Sequence, residues 1–247
     1  MIAAIVPGAG LSRRMGRPKL ILPLADGRTV LSTVLSGLIR GGVECVILVT
    51  PPRDSPLAEL MGREAVAINE FSRFREGEPP GEPLNPQARR EPHPPDISRT
   101  VKVLVPEVQP EDMRASVELG LAALPVDDPP TTLLLCPADS PGITAGLVAR
   151  VLELALKEPE AIVIPTFQGK RGHPVAMPWS IAQEIPKLPE GVGVNALIKQ
   201  HSGIIVEIVE EEPGAILDLD TPEDYRRWEP ATKPNAGGLP DGHDRPV

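Results

Sequence analysis

Short apolar runs alternate along the chain with segments in which apolar residues recur every three or four positions. The runs predict buried β-strands, and the spaced segments predict amphipathic helices. We expect strands over 2–6, 43–49, 65–68, 101–105, 131–136, 161–164 and 204–209. We expect helices over 29–40, 57–61, 112–124 and 143–156, around Ile181, over 195–200 and over 221–228. A hairpin is expected over 167–177, around the turn 169–172.

This alternation predicts the α/β class, with a mostly parallel sheet between two layers of helices in a three-layer, Rossmann-like arrangement. Aromatic residues make up only 2% of the chain, so Ile, Leu and Val must fill the core. Cys45 and Cys136 fall in predicted strands, where we expect buried, reduced thiols. Ligands of such sheets bind beyond the carboxyl ends of the strands. The residues that follow each strand are therefore the candidates for a functional site.

The 32 prolines concentrate in two regions where the periodic pattern stops. The segment at about 71–98 combines prolines and charges with almost no large apolar residue, which predicts an exposed, disordered insertion. Residues 229–247 form a polar tail rich in Pro and Gly, which we also expect to be disordered. The remaining pattern over 1–228 predicts one domain, near the upper size limit for a single core.

The formal net charge of −9 argues against nucleic-acid binding, because a phosphate backbone requires a broad basic surface. The charge is uneven, since 11–20 contains Arg13, Arg14, Arg17 and Lys19 and no acid. Such a basic loop on an acidic protein predicts a small polyanionic ligand. No apolar stretch is long enough to span a bilayer, and the first residues do not form a signal peptide. A cytoplasmic protein without membrane contact is expected.

A glycine-rich loop directly follows the first predicted strand. Gly8 and Gly10 allow close backbone approaches, and their amides can point at phosphate oxygens. Arg13, Arg14 and Lys19 supply compensating positive charge. The spacing is neither the dinucleotide fingerprint nor a P-loop. From the two glycines alone, a plain turn with solvated basic neighbours is an equal alternative.

The segment 7–19 resembles the signature L-A-A-G-x-S-x-R-M-G-x-x-K of the nucleotidyltransferases that act on the molybdenum cofactor. Its fixed positions are matched by Ser12, Arg14, Met15, Gly16 and Lys19. The continuation 20–24 resembles the K-L-L-L-P-L of the cytidylyltransferase branch, whereas Pro7-Gly8 replaces the Leu-Ala of the signature. The resemblance implies a nucleotide-diphospho-sugar transferase-like fold, with Arg14 and Lys19 holding a triphosphate.

The segment 112–116 corresponds to the G-M-x-x-S of the same family, which precedes a helix over the nucleotide. The nucleotide-binding set implied by the resemblance is Gly8, Ala9, Gly10, Ser12, Arg13, Arg14, Lys19 and Ser116.

An acid, Asp139, stands just beyond the predicted strand 131–136. Taken alone, an Asp before Ser-Pro is more typical of a turn or a helix cap. The surrounding segment resembles the family's L-G-D-Q-P, whose Asp binds the metal, so the resemblance makes Asp139 a Mg²⁺ ligand. Magnesium favours one or two carboxylates together with substrate phosphates.

A second acidic segment, 217–225, resembles the family's D-I-D-T-P-E-D near the C-terminus. Asp218 and Asp220 alternate along an extended stretch, so they point to opposite sides and only one can readily face the metal. The alternative for Asp220 is a part in the helix start at Thr221-Pro222. We expect the two aspartates jointly to supply the second carboxylate.

The segment 169–174 resembles the family's G-x-R-G-H-P, which lies on the acceptor side of the site. The resemblance implies that Arg171 and His173 bind the acceptor. A lone His in a hairpin is otherwise more often structural.

The implied reaction moves a nucleoside monophosphate from a nucleoside triphosphate to a phosphorylated small-molecule acceptor and releases pyrophosphate. By resemblance, the transferred group is CMP and the acceptor is a molybdopterin-type cofactor. Lys19, Arg14 and Asp139 would be catalytic, with Mg²⁺ as cofactor, and molybdoenzymes or their maturation factors are possible partners. The alternatives are a guanylyltransferase or a sugar-phosphate nucleotidyltransferase of the same fold. A non-catalytic carrier of nucleotide or pterin is the alternative from another class.

Overall fold

The strands that the structure describes join in one eight-stranded sheet. The computed structural model describes residues 1–10, 15–76 and 99–231. Its strands are β1 (Ile2–Pro7), β2 (Cys45–Val49), β3 (Thr100–Leu104), β4 (Thr132–Leu135), β5 (Ile162–Phe167), β6 (Lys170–Arg171), β7 (Val175–Pro178) and β8 (Ile205–Val209). Its α-helices are α1 (Val30–Gly41), α2 (Pro56–Glu76), α3 (Met113–Ala122), α4 (Ala145–Lys157), α5 (Trp179–Ala182), α6 (Val194–Gln200) and α7 (Pro222–Ala231). Short 3-10 helices span Lys19–Ile21, Ile185–Lys187, Ser202–Ile204 and Pro213–Ile216.

The strand order is β3-β2-β1-β4-β7-β5-β6, and β8 pairs with β5. Strand β1 lies between two parallel neighbours, so that Ile5 is level with Ile47 of β2 and Leu135 of β4. Strand β7 runs antiparallel to β4 and β5. Strand β6 forms a hairpin with β5, but its residues Lys170 and Arg171 were predicted to lie in the turn, which is shorter than expected. The prediction of a mostly parallel sheet is confirmed.

Alternate residues of β1 enter two different apolar cores, one on each face of the sheet. Ala4 and Val6 pack in the core that contains residues of α1, α2 and α4. Ala3 and Ile5 pack in the core that contains residues of α3, α5 and α6. All of β2 is buried. Continuous apolar strands and two apolar faces are the reason the chain adopts the predicted three layers.

Helix α1 shows how local signals set the ends of an element. The Thr29 hydroxyl accepts from the amide of Ser32, and the Ser32 hydroxyl accepts from the amide of Thr29, which forms a reciprocal cap. At the other end Gly42 adopts a left-handed conformation with φ of 117°. This conformation favours glycine, so the helix ends where the Gly41-Gly42 pair predicts.

Helix α2 corrects the prediction for 57–76. We predicted a short helix over 57–61 and a weak strand over 65–68, but one helix covers both. Met61 and Ala65 are buried four residues apart, which suits the period of a helix. A short apolar run does not by itself distinguish a strand from a helix.

Two boundaries also shift. Residues 71–76, placed at the start of the disordered insertion, form the end of α2, while 77–98 lie outside the described residues. Residues 229–231, placed in the disordered tail, belong to α7, and 232–247 also lie outside. The single-domain organisation stays a prediction.

A third apolar cluster joins the segment after the glycine-rich loop to the C-terminal part of the fold. It contains Met15, Leu22, Leu24, Val30, Leu219 and Tyr225. The Tyr225 hydroxyl donates to the carbonyl of Pro23, and the Arg17 guanidinium lies 5.4 Å from the centre of the Tyr225 ring. These contacts attach α7 to Arg17, which precedes Lys19 in the sequence, and to Pro23, which follows it.

Both cysteines are free and buried, as predicted. Burial raises the pKa of the Cys45 and Cys136 thiols. Among the helices that the structure describes, none combines the length and the apolar character that crossing a membrane requires.

Candidate active site

A cleft of about 550 Å³ opens at the carboxyl ends of β1 and β4. Its walls come from the loop after β1, the loop between β3 and α3, and the loop after β4. The lining residues are 7–10, Lys19, Leu20, 109–113, Ser116, 137–139 and Asp220. The cleft therefore lies at the edge of the sheet where the sequence predicts ligand binding.

Lys19 stands between two carboxylates in this cleft. Its Nζ donates to Oδ2 of Asp139 and lies 2.9 Å from Oδ1 of Asp220. The exposed fractions of the side chains are 13% for Lys19, 22% for Asp139 and 48% for Asp220. Burial disfavours the charge of Lys19, but the carboxylates of Asp139 and Asp220 outweigh it and raise the pKa of the ammonium group. Lys19 is thus held as a cation.

Asp218 and Asp220 point to opposite sides, as their alternation predicts. The amide of the intervening Leu219 donates to the Asp139 carbonyl at 3.1 Å, which fixes this segment against the loop after β4. Oδ1 of Asp218 accepts from the buried Ser140 hydroxyl at 2.7 Å, whereas Asp220 faces Lys19 and lines the cleft.

The surroundings of Asp218 disfavour its charge. Desolvation raises the pKa of its carboxyl group, and the negative charges of Asp139 and Asp220 add to this effect. The hydrogen bond from Ser140 opposes the shift. Asp218 therefore belongs to the same electrostatic group as the two cleft aspartates.

His173 lies beside this acidic group, whereas Arg171 is directed elsewhere. Burial lowers the pKa of His173 against the attraction of Asp218 and Asp139, and its buried Nδ1 has no hydrogen-bond partner in the part of the chain that the structure describes. The Arg171 guanidinium donates to Glu207 of β8 at 2.9 Å, and Arg171 is not a lining residue of the cleft. Their roles in acceptor binding stay predictions.

The backbone of the glycine-rich loop is fixed on the β2 side. The amide of Gly8 donates to the Val49 carbonyl at 2.8 Å, and a Cβ on Gly8 would lie 2.5 Å from Cε of Met61. Gly8, Ala9 and Gly10 all line the cleft, as expected for a nucleotide-binding loop. The predicted residues Ser12, Arg13 and Arg14 lie outside the described residues.

Ser116 lies in the first turn of α3, on the cleft wall. Its hydroxyl donates to the carbonyl of Asp112, and the Asp112 carboxylate caps the helix by accepting from the amide of Ala115. The structure thus places Ser116 at the predicted surface, with its hydroxyl bonded to the backbone.

Sequence reasoning missed Gln109 and the role of Ser140. Gln109 donates from Nε2 to the Ala9 carbonyl at 2.8 Å and lines the cleft. It belongs to no recognised motif, and its position between β3 and α3 was the only signal available. Ser140 stands where the family's L-G-D-Q-P has Gln, and its hydroxyl holds Asp218.

The carboxylate pair fits a divalent cation. Lys19 shows that one positive centre can contact both Asp139 and Asp220. Across 1–10, 15–76 and 99–231, no group of three His, Cys, Asp or Glu side chains is arranged to hold a metal ion alone. Magnesium suits such a site, because it usually takes one or two carboxylates and completes its shell with substrate oxygens and water.

A family model described as the MobA-like NTP transferase domain matches residues 4–78 and 84–204. The chain belongs to this family. It is therefore a nucleotidyltransferase-family protein with the nucleotide-diphospho-sugar transferase fold, as the resemblance implies.

Individual relatives agree with the family assignment. The chain is 24% identical over 225 residues to the molybdenum cofactor cytidylyltransferase of Escherichia coli K12, covering 91% of this chain and 93% of that protein.

Solved structures share the fold. Rv0371c from Mycobacterium tuberculosis H37Rv has a TM-score of 0.60 at 24% identity, with 92% and 96% of the two chains covered. The structure of Rv0371c in complex with manganese has a TM-score of 0.57 at 22% identity, with 93% of this chain and 98% of that chain covered. Molybdopterin-guanine dinucleotide biosynthesis protein A from Archaeoglobus fulgidus has a TM-score of 0.55 at 15% identity, with 94% of this chain and 98% of that chain covered.

Proposed function

We propose that this protein transfers CMP from CTP to the phosphate of a molybdopterin-type cofactor and releases pyrophosphate. The observation that carries the proposal is the placement of Lys19 between Asp139 and Asp220 on the wall of the cleft. The E. coli cytidylyltransferase that the chain resembles over 91% of its length supports the choice of donor and acceptor.

The reaction requires a phosphate oxygen of the acceptor to attack the α-phosphorus of CTP. The new P–O bond forms as the bond from the α-phosphorus to the oxygen that bridges it to the β-phosphorus breaks, and the electron pair leaves with pyrophosphate. Nucleophile and leaving group are both already reactive enough for direct transfer. The protein then acts by positioning the reactants and by neutralising negative charge, without a covalent enzyme intermediate.

Lys19 supplies that positive charge. Its ammonium lies between Asp139 and Asp220 before any ligand binds, and it would pass from this pair to the triphosphate when Mg²⁺ and the nucleotide enter. Arg14, in the adjoining part of the predicted motif, would add a second cation.

Mg²⁺ would be held by Asp139 and Asp220, with Asp218 supporting them from the side of Ser140. When bound, the ion would neutralise charge on the phosphates of donor and acceptor. The relative Rv0371c has been solved with manganese, which supports a divalent cation in this fold. His173, beside Asp218 and Asp139, would face the acceptor. Arg171 would contact the acceptor phosphate only by giving up its hydrogen bond to Glu207.

The test is pyrophosphate release from CTP in the presence of Mg²⁺ and molybdenum cofactor freshly released from a molybdoenzyme. Mass spectrometry of the product identifies the transferred group, and GTP, ATP and UTP are assayed in parallel. We expect release only when CTP and the acceptor are both present, and its loss on chelation of Mg²⁺. Asp139→Asn serves as the inactive control.

Release with GTP alone would assign the protein to guanylyl transfer. Nucleotide binding without pyrophosphate release, under conditions where the E. coli enzyme is active, would establish a carrier and contradict the proposal.

A further inference from the structure

Arg114 forms a set of hydrogen bonds that reaches beyond its own helix. It lies in the first turn of α3, next to the cleft-lining residue Met113, and 14% of its side chain is exposed. Its Nη1 donates to the carbonyls of Pro189 and Val192 at 2.6 and 3.0 Å, and its Nη2 donates to the carbonyl of Leu188 at 2.8 Å. One guanidinium thus gathers three backbone acceptors from the segment that precedes α6.

The remaining bond of this guanidinium lies within α3. Nε of Arg114 donates to Oε1 of Glu118 at 2.7 Å, about one helical turn further along. Arginine presents its donors in a rigid planar fork, so one side chain can serve a carboxylate and several carbonyls at once. A lysine ammonium is a point charge without that fork. The loop carbonyls are therefore matched to arginine, whereas either cation could form the ion pair with Glu118.

The segment 188–193 forms a turn that depends on this side chain. The amide of Val192 donates to the Pro189 carbonyl at 3.1 Å, and Gly191 adopts a left-handed conformation with φ of 73°. The bonds that Arg114 makes to Leu188 and Val192 are partly buried. A carbonyl that loses its donor in such a place is not fully compensated by water. Loss of the guanidinium should therefore loosen this turn.

The two ends of the link belong to different halves of the sheet. Helix α3 packs on β1 and β2 and places Ser116 on the wall of the cleft. Helix α6, which follows the turn, buries Leu197 in the core that also contains Val175 of β7. Strand β7 begins two residues after His173, the predicted acceptor residue. Arg114 therefore joins the helix on the nucleotide side of the cleft to the layer behind the acceptor side.

We propose that Arg114 is a positioning residue, which keeps the nucleotide wall of the cleft aligned with the acceptor side of the fold. The inference rests on the proposed function, which defines the two sides. Transfer requires the acceptor oxygen to approach the α-phosphorus within narrow limits, and a misplacement of about 1 Å can cost roughly a hundredfold in rate. Helix α3 retains its cap from Asp112 and its own core contacts, so loss of Arg114 should affect the acceptor side more than nucleotide binding.

The experiment compares Arg114→Met and Arg114→Lys with the wild-type protein in pyrophosphate release and in calorimetric titration with CTP and Mg²⁺. We expect both variants to bind CTP within about threefold of the wild-type constant, while kcat/KM for the acceptor falls about tenfold to a hundredfold. Lysine should not restore the rate, because it keeps the charge but not the fork. Gly191→Val strains the turn at its positive φ without changing Arg114, so it should lower the same quantity.

Two further variants serve as controls. Arg63→Met removes an i,i+4 ion pair of the same kind, formed with Glu59 on α2, and should leave both quantities at their wild-type values. Glu118→Gln removes the charge of the partner within α3 but leaves the loop carbonyls bonded to Arg114, so it should retain most of the turnover.

The outcomes separate this inference from the proposed function. If the wild-type protein releases no pyrophosphate, the proposed function fails. If it is active and Arg114→Met keeps the wild-type kcat/KM for the acceptor, the inference is overturned while nucleotidyl transfer stands. A parallel loss of CTP affinity also overturns it, because Arg114 would then support the nucleotide wall alone. Unfolding midpoints verify that each variant is folded, and where the Arg114 variants are not, Gly191→Val decides by the same criteria.

Discussion

The ammonium nitrogen of Lys19 lies 2.9 Å from Oδ1 of Asp220, although 201 residues separate the two in the sequence. The same nitrogen contacts Asp139, so it links the loop after β1, the loop after β4 and the segment before α7. Without this cation the carboxylates would repel each other. Lys19 therefore organises the carboxylate side of the cleft in the absence of ligand.

Replacing Lys19 by Met should separate catalysis from folding. We expect turnover to fall by about a hundredfold or more, because a positioned charge at the leaving group is lost. The free energy of unfolding should change by less than about 2 kcal/mol, since Asp220 remains half exposed and can be solvated. Pyrophosphate release and denaturant-induced unfolding measure the two quantities.

The control for this variant is Lys157→Met, at the end of α4. Lys157 is 66% exposed, pairs with Glu153 on the same helix and is not a lining residue of the cleft. Its loss should leave turnover unchanged. Full turnover in Lys19→Met would refute the role assigned to the ammonium group.

Gly142 should tolerate no side chain. A Cβ there would lie 2.2 Å from the carbonyl oxygen of Gly214, so the loop after β4 and the segment before Asp218 would have to separate. We expect Gly142→Ala to lower the free energy of unfolding by about 1–3 kcal/mol. Turnover should fall as well, because the same two segments carry Asp139 and Asp218. Chemical denaturation and the pyrophosphate assay provide the measurements.

Gly146 provides an internal comparison for the same substitution. It lies in the first turn of α4, where a Cβ would make only an ordinary contact, 3.6 Å from Nη1 of Arg150. Gly146→Ala should raise the free energy of unfolding by about 0.5–1 kcal/mol, because alanine is the better helix former. Equal effects of the two substitutions would show that the close approach at Gly142 is unimportant.

His173 should make the protein less stable in mild acid. Burial lowers the pKa of His173 below the ordinary value of 6.5, against the attraction of Asp218 and Asp139. The unfolded chain then takes up a proton at a higher pH than the folded protein does. The stability due to neutral His173 is therefore complete above pH 6.5 and is lost as the pH falls through the folded pKa.

The measurement is the melting temperature between about pH 7.5 and pH 5.5, where histidine titrates. His173→Gln should flatten the decline of the wild-type protein. His201→Gln, at the end of α6, is the matched substitution, and the difference in slope between the two variants isolates the contribution of His173. An unchanged slope in His173→Gln would argue against burial of the neutral ring.

Much of this fold follows from local sequence signals. Runs of apolar residues predict the central strands, and Thr29 and Gly42 set the ends of α1 through hydrogen bonds formed within a few residues. The cleft could also be placed in advance, because parallel strands direct their carboxyl ends, and hence Asp139 and the glycine-rich loop, to one edge. The resemblance added Asp218 and Asp220 jointly, and of the two the structure places Asp220 on the wall of the cleft.

The remaining features depend on residues that are distant in sequence. The antiparallel direction of β7 and the pairing of Arg171 with Glu207 arise only when the sheet is assembled. The bond from Gln109 to Ala9 spans 100 residues and leaves no local pattern. The apolar run 65–68 was predicted to be a strand from its local pattern. Its helical conformation depends on the assembled core, which buries Ala65 on one side of α2.

The long separation between Lys19 and Asp220 has a consequence during synthesis. At about 5–20 residues per second, a ribosome needs roughly 10–40 s to make the intervening chain. Throughout that interval β1 can pair with β2, but Lys19 of the nascent chain does not yet have Asp220 to contact. Prematurely released fragments that stop before Asp220 would carry a glycine-rich loop without a complete carboxylate pair, so such translation products would be unable to carry out the reaction.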